Sequence, residues 1–359
     1  MTVNVRYPRL LVSRNKILEN AARVVERCAR SGISLTGVAK GVCAREPVVR
    51  AMAEGGCAEL GDSRIDNLAS IRTMNLGLPL LLLRIPMPSE ISLVVRIADR
   101  TLVSMAETVS VIDRECRAAG KTHEVVVMAD LGDLREGVWM GRMEKIAAAL
   151  KASPRVRCVG VGVNFGCFGG VLPVPEKLEQ LLSIGKELER SLEYPLPVYS
   201  GGSTSSLALL ENGTMPAGIN NLRVGEAILI GADVTGSRDI PWLHQRTVCL
   251  EAEVIEAYRK PSVPVGPLGL DAFGGAPVFE DRGERLRAIA AVGRQDVRIE
   301  GLTPELSGAV ILGGSSDHTI IDVEHVRPEP ALGDIMRFFP DYGALLALST
   351  SPYVAFDVV

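Results

Sequence analysis

The sequence predicts an α/β protein: an N-terminal (β/α)8 barrel followed by a β-rich domain. Over roughly the first two thirds of its 359 residues, short apolar runs alternate with amphipathic stretches. Eight such runs occur, and several are continuously apolar, as strands of a parallel sheet covered on both faces must be. Near residue 237 the texture changes to short alternating strands broken by Gly and Pro, with little helix. Eight β-α units in about 230 residues suit a closed barrel. An open doubly wound sheet with one element miscounted is the alternative.

Taken in order, "RNKILENAARVVERCARSG" has helical periodicity, stops at Gly32 and leads into the strand "LTGVAK". Further strands are expected at 58–63, 79–85, 100–106, 124–132, 156–164, 196–203 and 219–225. Helical segments such as "EPVVRAMAEGG", "SRIDNLASIRTMN", "AETVSVIDRECRAAG" and "PEKLEQLLSIGKELERSLE" separate them. Beyond them, "TVCLEAEVIEAYRKPSVPVG", "LRAIAAVGRQDVRIEGL", "GAVILGGSSDHTIIDV" and "DIMRFFPDYGALLALS" all read as strands. The expected division is a barrel over 8–236 and a β-domain over 237–359, joined by an N-terminal strand at 1–7.

A net charge of −4 without any Lys/Arg run argues against nucleic acid or an anionic membrane as partner. Seven scattered cysteines without a C-x-x-C pair, and only four histidines, suggest reduced thiols and no metal site. The N-terminus lacks the apolar core of a signal peptide, and runs such as "LPLLLLRIP" are too short to span a bilayer. A soluble cytoplasmic protein is expected.

In such a barrel the chemistry lies at the C-terminal mouth. The strand ends supply Lys40, Asp62-Ser63-Arg64, Arg84, residues 130–135, Asn164, residues 200–204 and Arg223, a polar ring on an apolar scaffold. Any one of these could be an ordinary helix cap. Lys40 ends an apolar strand; desolvated, its amine could attack a carbonyl to form a Schiff base, or it could snorkel to the rim. "YSGGSTSSLALL" and "NNLRVGEAILIG" are glycine-bearing turns running into helices, the form of a phosphate cradle after strands seven and eight. A lysine on the first strand and a phosphate cradle on the last two describe pyridoxal 5′-phosphate (PLP).

The chain resembles the alanine racemase-like group of PLP enzymes, most closely the ornithine and lysine racemase branch, with a TIM barrel of the alanine racemase type. The resemblance covers essentially the whole chain and is carried by "VAKGVCA", "DSRIDNL", "MADLGDLREG", "GVGVNFGCFGG", "SGGSTSSL" and "NLRVGEA". "GRQDV", "GGSSDHTIIDV" and "DYGALLALSTSPYV" extend it into the second domain. It implies that Lys40 holds PLP and acts as one base. Ser203, Thr204, Gly225, Glu226 and Tyr342 would bind its phosphate, Gly225 and Glu226 through backbone N–H. Arg223 would face the pyridine nitrogen, with Asn164 beside the cofactor, and Arg135 would help hold the substrate carboxylate.

Racemisation needs an acid and a base on opposite faces of the α-carbon. In alanine racemases a tyrosine from the second domain of the partner subunit serves the other face, which implies a homodimer with shared sites. Here Arg294 stands in that segment, so His318, then Asp296 and Tyr353, are the candidates for the second base. Cys43-Ala44 replace a tyrosine near the lysine, which would leave room for a longer substrate. Asp62, Asp271, Asp296 or Asp317 could meet the ammonium of ornithine or lysine. Cofactor carriage without turnover, or decarboxylation or aldol cleavage on the same fold, are the alternatives.

Overall fold

The structure, a computed structural model, describes residues 6–139 and 142–359. It divides into two compact units, Arg14–Gln245 and residues 6–13 with Arg246–Val359.

The first unit is a closed barrel. Its strands are β1 (Ser34–Val38), β2 (Glu59–Asp62), β3 (Leu80–Leu82), β4 (Arg100–Val103), β5 (His123–Asp130), β6 (Val156–Val163), β7 (Val198–Ser200) and β8 (Asn221–Val224). Each pairs in parallel with the next, and β8 returns to β1, so this sheet has no open edge around its circumference. The open-sheet alternative therefore falls.

The barrel wall is two-sided in its chemistry. A buried cluster of Leu81, Leu102, Val126, Met128 and Val159 draws on β3 to β6. The strands β7, β8, β1 and β2 instead bury Ser200, Asn221, Arg223, Thr36 and Glu59. Register sets these side by side: Thr36 lies opposite both Arg223 and Glu59, and Asn221 opposite Ser200.

The helix Arg14–Ala29 packs through Ile17, Ala21, Val24 and Cys28, an i, i+4, i+7, i+11 face. Its fully buried Asn20 donates to the carbonyls of Ile228 (3.2 Å) and His244 (2.9 Å) and accepts from the His244 N–H (2.7 Å). This grip fastens the chain up to Gln245 onto the barrel, eight residues or so beyond the expected boundary at 237.

The second unit is built mainly from antiparallel strands, with Val248–Pro261 paired to both Glu284–Ala290 and Ile335–Pro340, and a parallel pair, Arg9–Val12 with Ala355–Val358. Two expectations need correction here. The strand Arg9–Val12, placed within the barrel range, pairs with Val248–Glu251 and with Ala355–Val358 of this unit; residues 1–5 of the expected N-terminal strand lie outside the described residues. Residues 342–350, read as strand, form a helix because Asp341 caps it, accepting from the Ala344 N–H at 2.7 Å, and Ala and Leu fill its turns. Among the described residues no helix is long and apolar enough to cross a membrane.

The N-terminal strand is held by charge as well as by its ladder. Glu251, 2 % exposed, accepts from Arg9 Nε (2.7 Å) and Arg337 Nε (2.8 Å). Burial alone would raise its pKa, but the two guanidinium groups outweigh that and hold it below the usual carboxylate range. A depressed carboxylate stabilises the fold above its unfolded pKa, about 4.3, and loses that contribution as pH falls through the folded value. Glu251→Gln is expected to cost about 2 kcal/mol at pH 7 by urea unfolding. The gap between variant and wild type should close on acidification below pH ~4.

Candidate active site

Lys40 emerges from β1 into a single turn of 3-10 helix, Lys40–Val42. The turn is anchored at Ala39, whose N–H donates to the Gly61 carbonyl on β2 (2.9 Å) and whose carbonyl accepts from the N–H groups of Val42 (3.1 Å) and Ala44 (3.3 Å). Cys43 and Ala44 then adopt φ of 48° and 51°, left-handed conformations that cost L-residues roughly 1–2 kcal/mol each. Burial lowers the pKa of the Lys40 amine, the charge of Arg135 lowers it further, and Cys167, Asp62 and Glu136 oppose.

Beside it, at the end of β2, Asp62 is fully buried. Its Oδ1 accepts from the Arg64 N–H (2.9 Å) and Asn67 Nδ2 (3.0 Å), while its Oδ2 has no hydrogen-bond partner among the described residues. Burial pushes its pKa up.

Arg223, on β8, points into the barrel and is 4 % exposed. Its Nη1 donates to Ser200 Oγ; its Nη2 donates to the Val163 carbonyl (2.7 Å) and to Asn164 Oδ1 (2.9 Å). All three acceptors are neutral. Burial lowers its pKa to about 10, with the charge of Arg135 as the second cause, so the guanidinium remains cationic at neutral pH. Gly162 makes room for it: a Cβ there would lie 3.4 Å from Arg223 Nη1 and 3.0 Å from Met128 Sδ.

Asn164 Nδ2 donates in turn to Glu136 Oε1 (2.8 Å), and Glu136 holds Arg135 by a two-pronged ion pair of 2.5 and 2.6 Å. Arg135 Nη1 also donates to Cys167 Sγ (2.9 Å). Arg135, Asn164 and Arg223 thus form one connected set.

The turns after β7 and β8 are joined. Ser203 precedes the turn Thr204–Ser206, and Gly202 has φ +112°, where a Cβ would fall 2.6 Å from Ser206 Oγ. Thr204 Oγ1 accepts from the Ala227 N–H (3.2 Å), which leaves its own O–H to donate elsewhere. Ser205 Oγ is buried without a partner among the described residues. Gly225 precedes the short helix Glu226–Ile230, and a Cβ at Gly225 would come 2.9 Å from the Val38 carbonyl, so only glycine fits between this turn and β1. The Glu226 carboxylate accepts from the Val234 N–H (2.8 Å), a structural task for the side chain.

The remaining expected residues lie in the second unit. Tyr342 opens the helix Tyr342–Thr350. His318 is exposed in the turn between Val310–Gly314 and Thr319–Asp322, its Nδ1 3.1 Å from Ser315 Oγ. Asp296 is buried and accepts from Ser351 Oγ (2.6 Å); Tyr353 is 53 % exposed, and its N–H donates to that same Ser351 Oγ (3.1 Å). Arg294 pairs with Glu300 (2.6 Å) and lies over the ring of Phe273. Asp271 is engaged by the N–H groups of Phe273 and Gly275 in its own loop.

Sequence reasoning missed Glu136, which joins Arg135 to Asn164, and the interior polar residues Thr36, Glu59 and Asn221. The available signal was a polar residue in or at the start of a short barrel strand, which once buried has to find a partner within the barrel.

Residues 12–233 match the family described as "Alanine racemase, N-terminal domain". The chain belongs to the alanine racemase family. This family member is 43 % identical to the lysine racemase of Thermotoga maritima over 349 residues, 97 % of each chain. It is 38 % identical to the ornithine racemase of Acetoanaerobium sticklandii over 350 residues, 97 % of this chain and 98 % of that one. Its fold is that of the alanine racemase from Streptomyces lavendulae, with a TM-score of 0.77, 17 % identity and coverage of 99 % and 98 % of the two chains.

The residues fit PLP, the family's cofactor. The fit rests on a desolvated amine at Lys40, an unpartnered buried hydroxyl at Ser205 and a glycine-only approach at Gly225. In cofactor-free protein, competitive acylation followed by peptide mass mapping should find Lys40 titrating below the ordinary lysine range. Titration at the ordinary lysine value would contradict the lowered amine pKa.

Proposed function

We propose that this alanine racemase family member is a PLP-dependent racemase interconverting the L and D forms of lysine or ornithine. The observation that carries the reading is the pairing, in one barrel mouth, of a desolvated Lys40 with a buried Arg223 that touches no carboxylate. The names of the two full-length relatives support the substrate class.

Lys40 would hold the cofactor and, with its lowered pKa, is suited to take the α-proton on one face. PLP supplies the electron sink for the pair of electrons left on the α-carbon. Arg223, still cationic, would donate to the cofactor's ring nitrogen, where a carboxylate would instead keep that nitrogen protonated. A sink weakened in this way would favour return of the proton to carbon over transamination. Asn164 orients the guanidinium, and Arg135, held by Glu136, meets the substrate carboxylate. Ser203, Thr204 and the N–H groups of Gly225 and Glu226 would hold the phosphate.

The opposite face falls to His318, contributed by a partner copy in a cytoplasmic homodimer. Asp296 is the weaker choice because Ser351 already occupies it. For the distal ammonium of the substrate, Asp62 is favoured over Asp271 and Asp296. Both of those are engaged locally, whereas Asp62 retains an unpartnered oxygen at the mouth.

The test is α-proton exchange in D2O on PLP-loaded protein, followed by NMR and chiral analysis with both antipodes of lysine, ornithine, alanine, serine and arginine. Exchange with inversion on lysine or ornithine is expected; no exchange on any of them would overturn the reading. Lys40→Ala should lose both the visible absorption of bound cofactor and all exchange. His318→Gln should still wash the proton from one antipode but with retention, and full inversion by that variant would remove His318 from the second-base role.

A further inference from the structure

Arg223 is a buried cation whose direct acceptors are all neutral, and the carboxylates that balance it lie at the ends of two hydrogen-bonded chains. The short chain runs Arg223 Nη2 to Asn164 Oδ1 (2.9 Å), then Asn164 Nδ2 to Glu136 Oε1 (2.8 Å). The long chain runs the other way, through the barrel interior. Arg223 Nη1 donates to Ser200 Oγ, Ser200 Oγ donates to Asn221 Oδ1 (2.5 Å), Asn221 Nδ2 donates to Thr36 Oγ1 (3.1 Å), and Thr36 Oγ1 donates to Glu59 Oε2 (2.7 Å).

Every link donates in the same direction, away from the cation and toward the carboxylate. Ser200 and Thr36 each accept on one side and donate on the other, and Asn221 turns its carbonyl to Ser200, toward the cation, and its amide to Thr36, toward the carboxylate. A chain so aligned polarises cooperatively, so the charge at one end strengthens each bond up to the other. Glu59 is 6 % exposed and receives Arg100 Nη1 on its second oxygen (3.0 Å); burial raises its pKa, and the Arg100 charge and the Thr36 hydrogen bond oppose that rise at the far end. Four strands, β2, β1, β8 and β7, contribute one or two members each, so the relay is built by barrel register and not by one loop.

We propose that Glu59 is a positioning residue for Arg223. Acting through Thr36, Asn221 and Ser200, it fixes the plane and charge of the guanidinium that meets the cofactor ring. The proposal rests on the reading above that Arg223 faces PLP. A carboxylate in direct contact would occupy the guanidinium edge by a bidentate grip. The relay supplies a negative charge while leaving that edge to the ligand.

The experiment measures PLP affinity of cofactor-free protein by equilibrium dialysis, with urea unfolding in parallel. Glu59→Gln and Thr36→Val, both near-isosteric, should each weaken PLP binding about five- to tenfold. Thr36→Ser, which keeps the hydroxyl, should stay within about twofold of wild type, as should Glu124→Gln, which loses only an outer partner of Arg100. Thr36→Val added to Ser200→Ala should weaken binding no further than Ser200→Ala alone, because a broken chain carries nothing to break again. A structural role would instead lower unfolding midpoints and leave PLP affinity unchanged, and that result overturns the proposal. So does additivity of the two substitutions. Should Glu59→Gln fail to fold, the Thr36 pair decides. If wild-type protein binds no PLP, the functional reading fails first, and the two failures are distinguishable.

Discussion

The structure is organised around one buried cation. Taking a guanidinium out of water costs several kcal/mol unless its N–H groups are met and its charge is answered. Arg223 meets the first demand with Ser200, Asn164 and the Val163 carbonyl. It meets the second at a distance, through Glu136 and Glu59. The asymmetry of the barrel follows from this. One half is filled by Leu, Val and Met from β3 to β6, and the other carries the polar residues of β7, β8, β1 and β2. Gly162 is the seam between them, where a side chain would press on Met128 and Arg223 together.

The same surroundings act oppositely in function on the two basic groups of the mouth. Burial and the charge of Arg135 lower both Lys40 and Arg223. Lysine starts near 10.4, so a downward shift brings its neutral amine toward the working range. Arginine starts far higher, and at about 10 it is still a fixed cation at neutral pH. One electrostatic environment therefore separates a group that exchanges protons from a group that only holds charge. Exchanging the two residue types would give neither.

Much of this was legible in the sequence. Lys40, Asn164 and Arg223 stand at strand ends, where barrel geometry gathers side chains, and the glycine-bearing turns after β7 and β8 announce a close approach. The relay residues were not legible. Glu59 and Asn221 open their strands and Thr36 lies within one, and a charge two strands away in the sheet depends on register, which local pattern does not encode. The helix at 342–350 was missed for a different reason: "YGALLALST" is apolar on every side, so no period marks it, and the decisive feature is a cap at Asp341. The N-terminal strand was misplaced because Arg9–Val12 is joined by sequence to the barrel's first helix but by hydrogen bonds to Val248–Glu251.

The backbone around Lys40 shows how a long, flexible side chain is given a defined origin. Ala39 is tied to β2 through its N–H and to the following turn through its carbonyl, and Val42 and Ala44 are buried on either side of Cys43. Two successive left-handed residues persist only where packing over-determines them. Leu134, at φ 55°, gives the loop carrying Arg135 a similar bend. Strain at both positions sits next to a charged group of the mouth, and in both the adjacent strand ends in a run of buried residues. The freedom left to Lys40 is therefore that of its side chain alone. That freedom suits the proposed base, which would work from a fixed point beside an Arg223 held on two sides.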